Sequence, residues 1–349
     1  MMPMMPVTPV TPETAMSPAL LWLTGLAVMV AKLVLVLLVA LAGAAYLVLV
    51  ERKLLGRLQQ RFGPNRVGPF GLLQPLADGV KALLKEDLVP AGADRFLFLI
   101  VPGILPLATL LAFAVVPFGA DITIAGQKVP MIIADMDVAL LFILALSSLG
   151  VYALAVGGWA SNSKYSVLGA VRGLGQMISY ELPLGLTLVP VALMAGSLSL
   201  REIVEAQASM PFIVYQPVAF LLFVVSALAE IKRTPFDLAE AENELQAGYH
   251  MEYSGMRFAL FFLGEYMNMI FLGAMAAVFF LGGWHGPWLP PVVWMLLKTA
   301  ILPLVFIWVR NTLPRLRPDQ LMRLCWLWLA PLALLNILAT GLVMILLKG

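Results

Sequence analysis

Thiols, imidazoles and charged side chains are all scarce in this chain of 349 residues. The single cysteine, Cys325, and the two histidines, His250 and His285, cannot supply the four thiolates of an iron–sulfur cluster. Glycine-rich dinucleotide and Walker motifs are absent from the sequence. We therefore expect that this chain binds no cofactor of its own, and that any nucleotide chemistry belongs to a partner.

Charged residues make up 12% of the chain, whereas 61% of its residues are hydrophobic. The charged share is roughly half of the ~25% found in soluble domains, and it is too small to coat a globular surface. The surroundings of the fold must therefore be mostly lipid. The net charge of +2 is too small to indicate nucleic acid as a partner.

Long apolar runs recur along the chain, and each ends at charged residues, proline or glycine. Their lengths suit a bilayer core of about 30 Å, which a helix of about 20 residues crosses. We predict eight spans, at about residues 19–50, 96–117, 138–159, 178–196, 211–229, 258–281, 291–310 and 323–347. The predicted fold class is an all-α polytopic membrane protein, with a single transmembrane domain over residues 18–349. Residues 1–17 are rich in Pro, Thr and Met, lack Lys and Arg, and are predicted to be a short disordered outer tail.

Basic residues are distributed unevenly between the two sides of the predicted bundle. Seventeen Lys and Arg residues lie in or beside loops at about residues 51–95, 160–177, 230–257 and 311–322. The other side holds only Lys128, Arg201 and Lys348. By the positive-inside rule the basic side is cytoplasmic. With eight spans both termini are then periplasmic, and we predict a multi-pass protein of a bacterial inner membrane.

The first predicted cytoplasmic loop contains an amphipathic stretch. Its apolar residues are Leu73, Leu76, Val80, Leu83 and Leu84, and its polar residues are Gln74, Asp78, Lys81 and Lys85. At helical spacing the two sets fall on opposite faces. This pattern predicts a helix that lies in the membrane interface, and a surface helix without further function would be enough to explain it.

Acidic residues are concentrated after the fifth predicted span, where six lie between Glu230 and Glu252. Thr234, Pro235 and Asp237 fit the start of a helix, so Asp237 has an alternative explanation as part of a capping box. Capping does not explain Glu240 and Glu244, which repel each other at a spacing of four residues. An acid cluster beside lipid indicates a route for protons or cations.

Four charged residues lie within the predicted spans, away from the span ends. Glu181 and Glu265 fall about 12–14 Å into their helices, at nearly equal depth. Each would cost about 2.5–3.5 kcal/mol if it faced lipid, so both are expected to face the bundle interior or water. Lys298 falls ~18 Å from the basic boundary, where it could pair with an acid. Lys32 is expected at the outer interface, where its side chain can snorkel to water.

Nine short motifs together resemble one known family. They are Glu51–Lys53, Arg61–Pro69, Gly71–Asp78, Lys85–Asp87, Gly158–Tyr165, Gln176–Glu181, Thr234–Leu238, Gly248–Ser254 and Asp319–Met322. In this order the motifs resemble the H subunit of bacterial NADH:quinone oxidoreductase, respiratory complex I. The resemblance covers nearly the whole chain.

The resemblance implies an eight-helix subunit at the junction of the membrane arm and the hydrophilic arm. It implies that Arg52, Gln59, Arg61 and Asp78 belong to a quinone chamber and its entrance. It also implies that a funnel of acids leads from the chamber into the membrane, formed by Glu181, Glu230, Glu240, Glu242, Glu244 and Glu265. Asp237, in the acid-rich loop, and Lys298, inside a span, are further candidates for this proton path. The implied partners are the hydrophilic quinone-site subunit, the terminal iron–sulfur subunit and antiporter-like membrane subunits. FMN and the iron–sulfur clusters are expected in partner subunits, and quinone is the expected substrate.

The chain departs from the family pattern at two positions. Ser148 stands where some members have an acid, so a proton route at that point would need water or another side chain. Lys232 stands where many members have a neutral or different residue, and it is expected to affect the nearby acids. Three other functions remain open on the sequence: a stand-alone secondary transporter, a related subunit of a membrane-bound hydrogenase, and a purely structural membrane anchor.

Overall fold

The computed structural model describes residues 18–124, 127–240, 244, 246 and 248–348, and it is almost entirely helical. The helices that precede the acid-rich loop are α1 (Pro18–Leu58), α2 (Gln74–Leu84), α3 (Arg95–Phe113), α4 (Ala139–Ala160), α5 (Lys164–Ala195), α6 (Leu200–Ala206), α7 (Phe212–Tyr215) and α8 (Pro217–Glu230). Those that follow it are α9 (Gly255–Phe279), α10 (Pro291–Thr312), α11 (Pro318–Arg323) and α12 (Ala330–Lys348). A π-helix, Leu324–Leu329, joins α11 to α12.

Within the described residues, seven helical segments are long and apolar enough to cross a membrane. They are α1, α3, α4, α5, α9, α10 and the continuous segment Pro318–Leu347. This architecture confirms the predicted fold class, an all-α polytopic membrane protein. The predicted tail, residues 1–17, lies outside the described part of the chain.

The fifth predicted span, 211–229, differs from the others. The helix α8 has 14 residues and is about 21 Å long, which is shorter than a bilayer core of about 30 Å. A break at Gln216 separates it from α7, because Pro217 has no backbone N–H to continue a helix. The two helices are held at both ends. In α7, Ile213 N donates to the Phe280 carbonyl oxygen at 2.9 Å, and near the end of α8 the Ala229 carbonyl accepts from the Gln176 side chain of α5.

Two helices are longer than the apolar runs that predicted them. The first, α1, continues to Leu58, so Glu51 and Arg52 are helical. The predicted loop 160–177 is mostly helix, because α5 begins at Lys164. Polar residues interrupt the apolar pattern in the first half of α5, but the helix continues through them. Arg172 and Gln176 of this half bond to groups in neighbouring loops.

The centre of the bundle is α9, which packs against α1, α3 and α10. Nearly every side chain of α9 between Gly264 and Phe279 is buried. Small residues allow this close packing in a membrane protein. A Cβ atom at Gly273 would lie 2.3 Å from the backbone oxygen of Thr299, so glycine is required where α9 meets α10.

The amphipathic stretch forms α2, as predicted, and this helix buries none of its residues within the chain. The side chains of Leu76, Leu83 and Leu84 are exposed along it. A short antiparallel hairpin, which the sequence did not predict, joins strands β1 (Ile122–Ile124) and β2 (Gln127–Val129) between α3 and α4.

Candidate functional site

A cavity of about 620 Å³ lies between α1, α2 and α9, and we call it the α2 cavity. Its polar lining consists of Arg52, Gln74, Asp78, Lys81, Lys85 and Ser254. The aromatic part of its wall consists of Tyr253, Phe258, Phe262 and Tyr266. The amphipathic helix therefore covers a real cavity, in which its polar residues meet an aromatic wall contributed by α9 and the loop before it.

Arg52 and Asp78, which the family resemblance assigned to one chamber, are paired in the wall of the α2 cavity. Their side chains form an ion pair, in which Arg52 Nη1 lies 2.6 Å from Asp78 Oδ2. Gln74 donates a hydrogen bond of 3.0 Å to the other Asp78 oxygen, and Lys81 Nζ lies 3.7 Å from it. The cavity thus has a polar wall that can donate hydrogen bonds and is rich in positive charge.

Gln59 and Arg61 lie apart from this cavity wall. Arg61 Nε donates to Gln59 Oε1 at 2.9 Å, and both side chains are exposed in the segment that follows α1. Neither residue lines the α2 cavity within the described chain. Their exposed position leaves them available to a neighbouring subunit.

A buried charge network lies directly behind the α2 cavity. Glu51, with only 2% of its side chain exposed, accepts hydrogen bonds of 2.7 and 3.0 Å from Arg233 Nη1. Arg310 of α10 donates to the same carboxylate. The Arg233 guanidinium also lies 4.5 Å from the centre of the Tyr266 ring, which is part of the cavity wall. The network therefore connects the cavity to the acid-rich loop that carries Arg233.

A second buried pair involves the residue before Arg233. Lys232 Nζ lies 3.5 Å from Glu265 Oε1, and the two side chains are 5% and 4% exposed. The Tyr249 hydroxyl donates to the same Glu265 oxygen at 2.8 Å. Lys232 Nζ also lies 4.8 Å from the centre of the Tyr249 ring. Glu265 therefore faces the protein interior, as the cost of exposing a carboxylate to lipid predicts.

The backbone at Gly248 positions Tyr249. Gly248 has a φ of 61°, a left-handed conformation that glycine adopts readily. A Cβ atom there would lie 1.8 Å from the Ala239 carbonyl oxygen. Only glycine can make this turn, which brings Tyr249 against Glu265.

We call Glu181, Glu230, Glu240 and Glu265 the acid row, in which Glu181 and Glu230 are neighbours. Ser148, which the family pattern marked as a departure, donates a hydrogen bond to Glu181. Glu230 lies close enough to both Glu181 and Lys232 for their charges to interact. Glu181 and Glu265 have different neighbours, although the sequence placed them at similar depth.

Two small cavities meet at Glu230. Each has a volume of about 20 Å³, and Ser147, Glu230 and Asn268 line both of them. Glu181 lines the second cavity as well. A cavity of this size can hold about one water molecule, provided that polar groups surround it. Glu230 Oε2 is buried and has no hydrogen-bond partner within the described residues.

The loop acids have contrasting environments. Burial and the nearby carboxylates of Glu265 and Asp237 raise the pKa of Glu240 well above its ordinary value. The exposed Glu244 instead pairs with Arg172 at 2.7 Å, and this hydrogen bond together with the charge of Arg315 lowers its pKa. Glu242 lies outside the described residues.

The expected helix start at Thr234 is not observed. Residues 234–240 form turns and bends, in which Phe236 N donates to the Arg233 carbonyl oxygen at 2.8 Å. Phe236 and Leu238 are buried in the core of the bundle, so tertiary burial overrides the local capping pattern. Asp237 therefore does not cap a helix that starts at Pro235.

Lys298 lies far from the acid row. Its ammonium group donates to the backbone carbonyls of Leu281, Gly283 and His285, at 2.6, 3.0 and 2.6 Å. These carbonyls follow the C-terminal end of α9, about 24 Å along the helix axis from Glu265. The contacts of Lys298 fit a role in closing this helix end.

Three functional candidates were missed by the sequence reasoning. Glu51 is part of a family motif and Arg233 is one of the basic loop residues, but neither pattern indicates a role, and no motif contains Tyr266. A usable signal existed for Tyr266, because it follows Glu265 directly and is predicted on an apolar helix. The pairing of Glu51 with Arg233 had no such signal, since 182 residues separate them.

The chain matches one family of known proteins over most of its length. A family model described as NADH dehydrogenase matches residues 31–341. The NADH-quinone oxidoreductase H subunit 2 of Syntrophobacter fumaroxidans is 63% identical over 320 residues, which cover 92% of this chain and 97% of the relative. The corresponding H subunit 1 of Geobacter metallireducens is 60% identical over 321 residues, which cover 92% and 98% of the two chains.

This chain belongs to the H-subunit family of NADH-quinone oxidoreductase. The H subunit of Syntrophotalea carbinolica, at 57% identity over 90% of this chain and 96% of the relative, supports the same assignment. The chain is thus a multi-pass membrane subunit of complex I, and other subunits of that complex are its partners. The family match confirms the resemblance and disfavours the stand-alone transporter and the hydrogenase subunit.

Proposed function

We propose that this H subunit forms part of the chamber in which quinone is reduced, and that its acid row couples this reduction to proton translocation. The α2 cavity is the observation that supports the chamber. Its volume of about 620 Å³ falls within the range of small-molecule sites, and its wall combines aromatic surface with a few polar groups. An aromatic and aliphatic wall suits a quinone ring and its isoprenoid tail.

Arg52 is the residue best placed to act on quinone in this cavity. A guanidinium can donate to a quinone carbonyl and can stabilise the negative charge that develops on reduction. Its ion pair with Asp78 fixes its orientation before the substrate arrives. Gln59 and Arg61, which are exposed in the segment after α1, would then belong to the edge of the chamber that partner subunits complete. Those partners would supply FMN and the iron–sulfur clusters.

The proton path would pass through the acid row. Glu181 with Ser148, and Glu230 with its two adjoining small cavities, offer alternating carboxyl, hydroxyl and water positions. Ser148 thereby takes part where some members of the family have an acid. The raised pKa of Glu240 supports a role in proton exchange, because a carboxyl of this kind can take up and release a proton nearer neutral pH.

The two proposed functions are linked by the loop between α8 and α9. Arg233 contacts Tyr266 in the cavity wall and Glu51 behind it, and Lys232 contacts Glu265 of the acid row. A negative charge on reduced quinone would attract the cations on this loop. The loop therefore offers a short electrostatic connection between chamber and path.

The chamber is tested by replacing Arg52 with Gln in the intact complex. We expect a severalfold higher KM for quinone, with unchanged reduction of an artificial acceptor that takes electrons upstream of the chamber. Arg57→Gln is a matched control, because Arg57 lies on the same helix, is exposed and does not line the α2 cavity. Equal kinetics in the Arg52 and Arg57 variants would refute the assignment of this cavity as the chamber.

A further inference from the structure

We propose that Lys232 is a positioning residue that holds Glu265 as an ion-paired carboxylate, so that Glu265 can accept a proton only when this pair opens. The inference rests on the proposed proton path, and it adds a controlled step to it. It starts from the observation that a lysine and a glutamate, both buried, face each other at 3.5 Å beside the acid row.

Geometry shows that the pair is built into the fold. Lys232 has a φ of 57°, a left-handed conformation that residues other than glycine adopt infrequently. Such strained positions persist only where the surroundings hold them, and they cluster at functional sites. The conformation directs a side chain that is 5% exposed towards Glu265, which is 4% exposed.

The Glu265 carboxylate is surrounded mainly by cations and donors. Lys232, Arg233 and His250 interact with it electrostatically, and the Tyr249 hydroxyl donates to it. Among the described residues, Glu240 is an acid close to Glu265, and its carboxyl also interacts with Lys232 and Arg233. In this arrangement an added proton at Glu265 would compete directly with the Lys232 ammonium.

A consequence follows for the order of events in the path. Glu230 and Glu240 both lie near Lys232, so a movement of this side chain from Glu265 towards either acid would release Glu265 for protonation. The same movement would stabilise the carboxylate form of the acid that Lys232 approaches. The movement of one lysine would thus transfer the negative charge from one acid to another, and the total number of bound protons would stay the same.

Infrared difference spectroscopy of the purified complex tests directly whether Glu265 is an ionised carboxylate. At about pH 7, the difference between Glu265→Gln and wild type should show the loss of one carboxylate band and no loss of a protonated carboxyl band. In Lys232→Met, one new protonated carboxyl should appear, and it should vanish in the Lys232→Met/Glu265→Gln double variant. Lys232→Arg, which retains the cation, should resemble wild type.

A control variant and an independent measurement make the outcome decisive. Lys164→Met removes an exposed lysine and should leave the spectrum unchanged. The comparison of Glu265→Gln with wild type tests the proposal even if the complex does not assemble with the Lys232→Met variant. Loss of a protonated carboxyl band in Glu265→Gln would overturn the proposal. Proton pumping in sealed vesicles tests the path separately, because wild-type pumping in Glu265→Gln would refute the path and leave the infrared result standing.

Discussion

Replacing Glu51 with Gln should destabilise the protein strongly. Glu51 is 2% exposed and balances Arg233, which is 6% exposed, through two hydrogen bonds of 2.7 and 3.0 Å. Glutamine keeps the size of the side chain but removes the negative charge. Arg233 would then be a buried cation without its main counter-charge.

The size of the loss in stability can be judged by comparing Glu51 with Arg310, which belongs to the same charge network. Removing one partner of a buried pair costs about 3–5 kcal/mol, because the other charge stays buried and uncompensated. Arg310 contacts the same carboxylate but is 36% exposed. Its replacement by Gln leaves the Arg233–Glu51 pair intact and should cost about 0–1 kcal/mol, as for other solvent-accessible pairs.

The assay combines assembly and thermal unfolding of the detergent-solubilised complex. We expect Arg310→Gln to resemble wild type, and Glu51→Gln to lower both the amount of assembled complex and its unfolding temperature. The Glu51→Gln/Arg233→Met double variant should recover part of the loss, because both charges are then gone. Equal losses in Glu51→Gln and Arg310→Gln, or no recovery in the double variant, would refute the reasoning.

Two further predictions concern titration and topology. Burial and nearby carboxylates raise the pKa of Glu240, so the folded protein binds the proton of this carboxyl more tightly than the unfolded chain does. The free energy of unfolding therefore falls as pH rises above the ordinary Glu pKa of about 4.3. Glu240→Gln removes this loss, so its unfolding temperature relative to wild type should increase from about pH 5 to about pH 8; an unchanged difference would contradict the prediction. A reporter fused after Gly349 should be periplasmic, and a label at Lys164 should be reachable only from the cytoplasm. A cytoplasmic C-terminus would mean that one of the eight predicted spans does not cross.

Most of the helical architecture could be predicted from the sequence, because apolar runs of bilayer length have few alternative structures. The errors lie where polar residues continue a helix, as in the first half of α5, and where proline interrupts one, as at Pro217. In both cases the hydropathy pattern shows where the chain leaves the lipid. The end of the helix instead depends on whether nearby polar groups find hydrogen-bond partners. Gln216 illustrates this, since its amide bonds to Thr340 and Asn336 of α12.

The chemistry of the candidate site could be predicted only residue by residue. Arg52, Asp78, Glu181 and Glu265 were identified as charges that lipid would not tolerate or as parts of family motifs. Their pairing was not predictable, because partners such as Ser148 and Glu181 are 33 residues apart and meet only through helix packing. Lys298 is a different case, since this charge inside a span bonds to backbone carbonyls, which are partners that the sequence pattern does not indicate.

The loop between α8 and α9 explains why adjacent cations can serve two separate functions. Lys232 and Arg233 are neighbours in sequence, yet the left-handed backbone at Lys232 directs one side chain to Glu265 and the other to Glu51. Glu51 precedes Arg52 of the α2 cavity, and Glu265 precedes Tyr266 of its wall. Any shift of this loop therefore changes the charge balance behind the cavity and within the acid row at the same time. In the proposed mechanism, reduction of quinone needs to displace only this loop to alter the proton affinity of the first acids in the path.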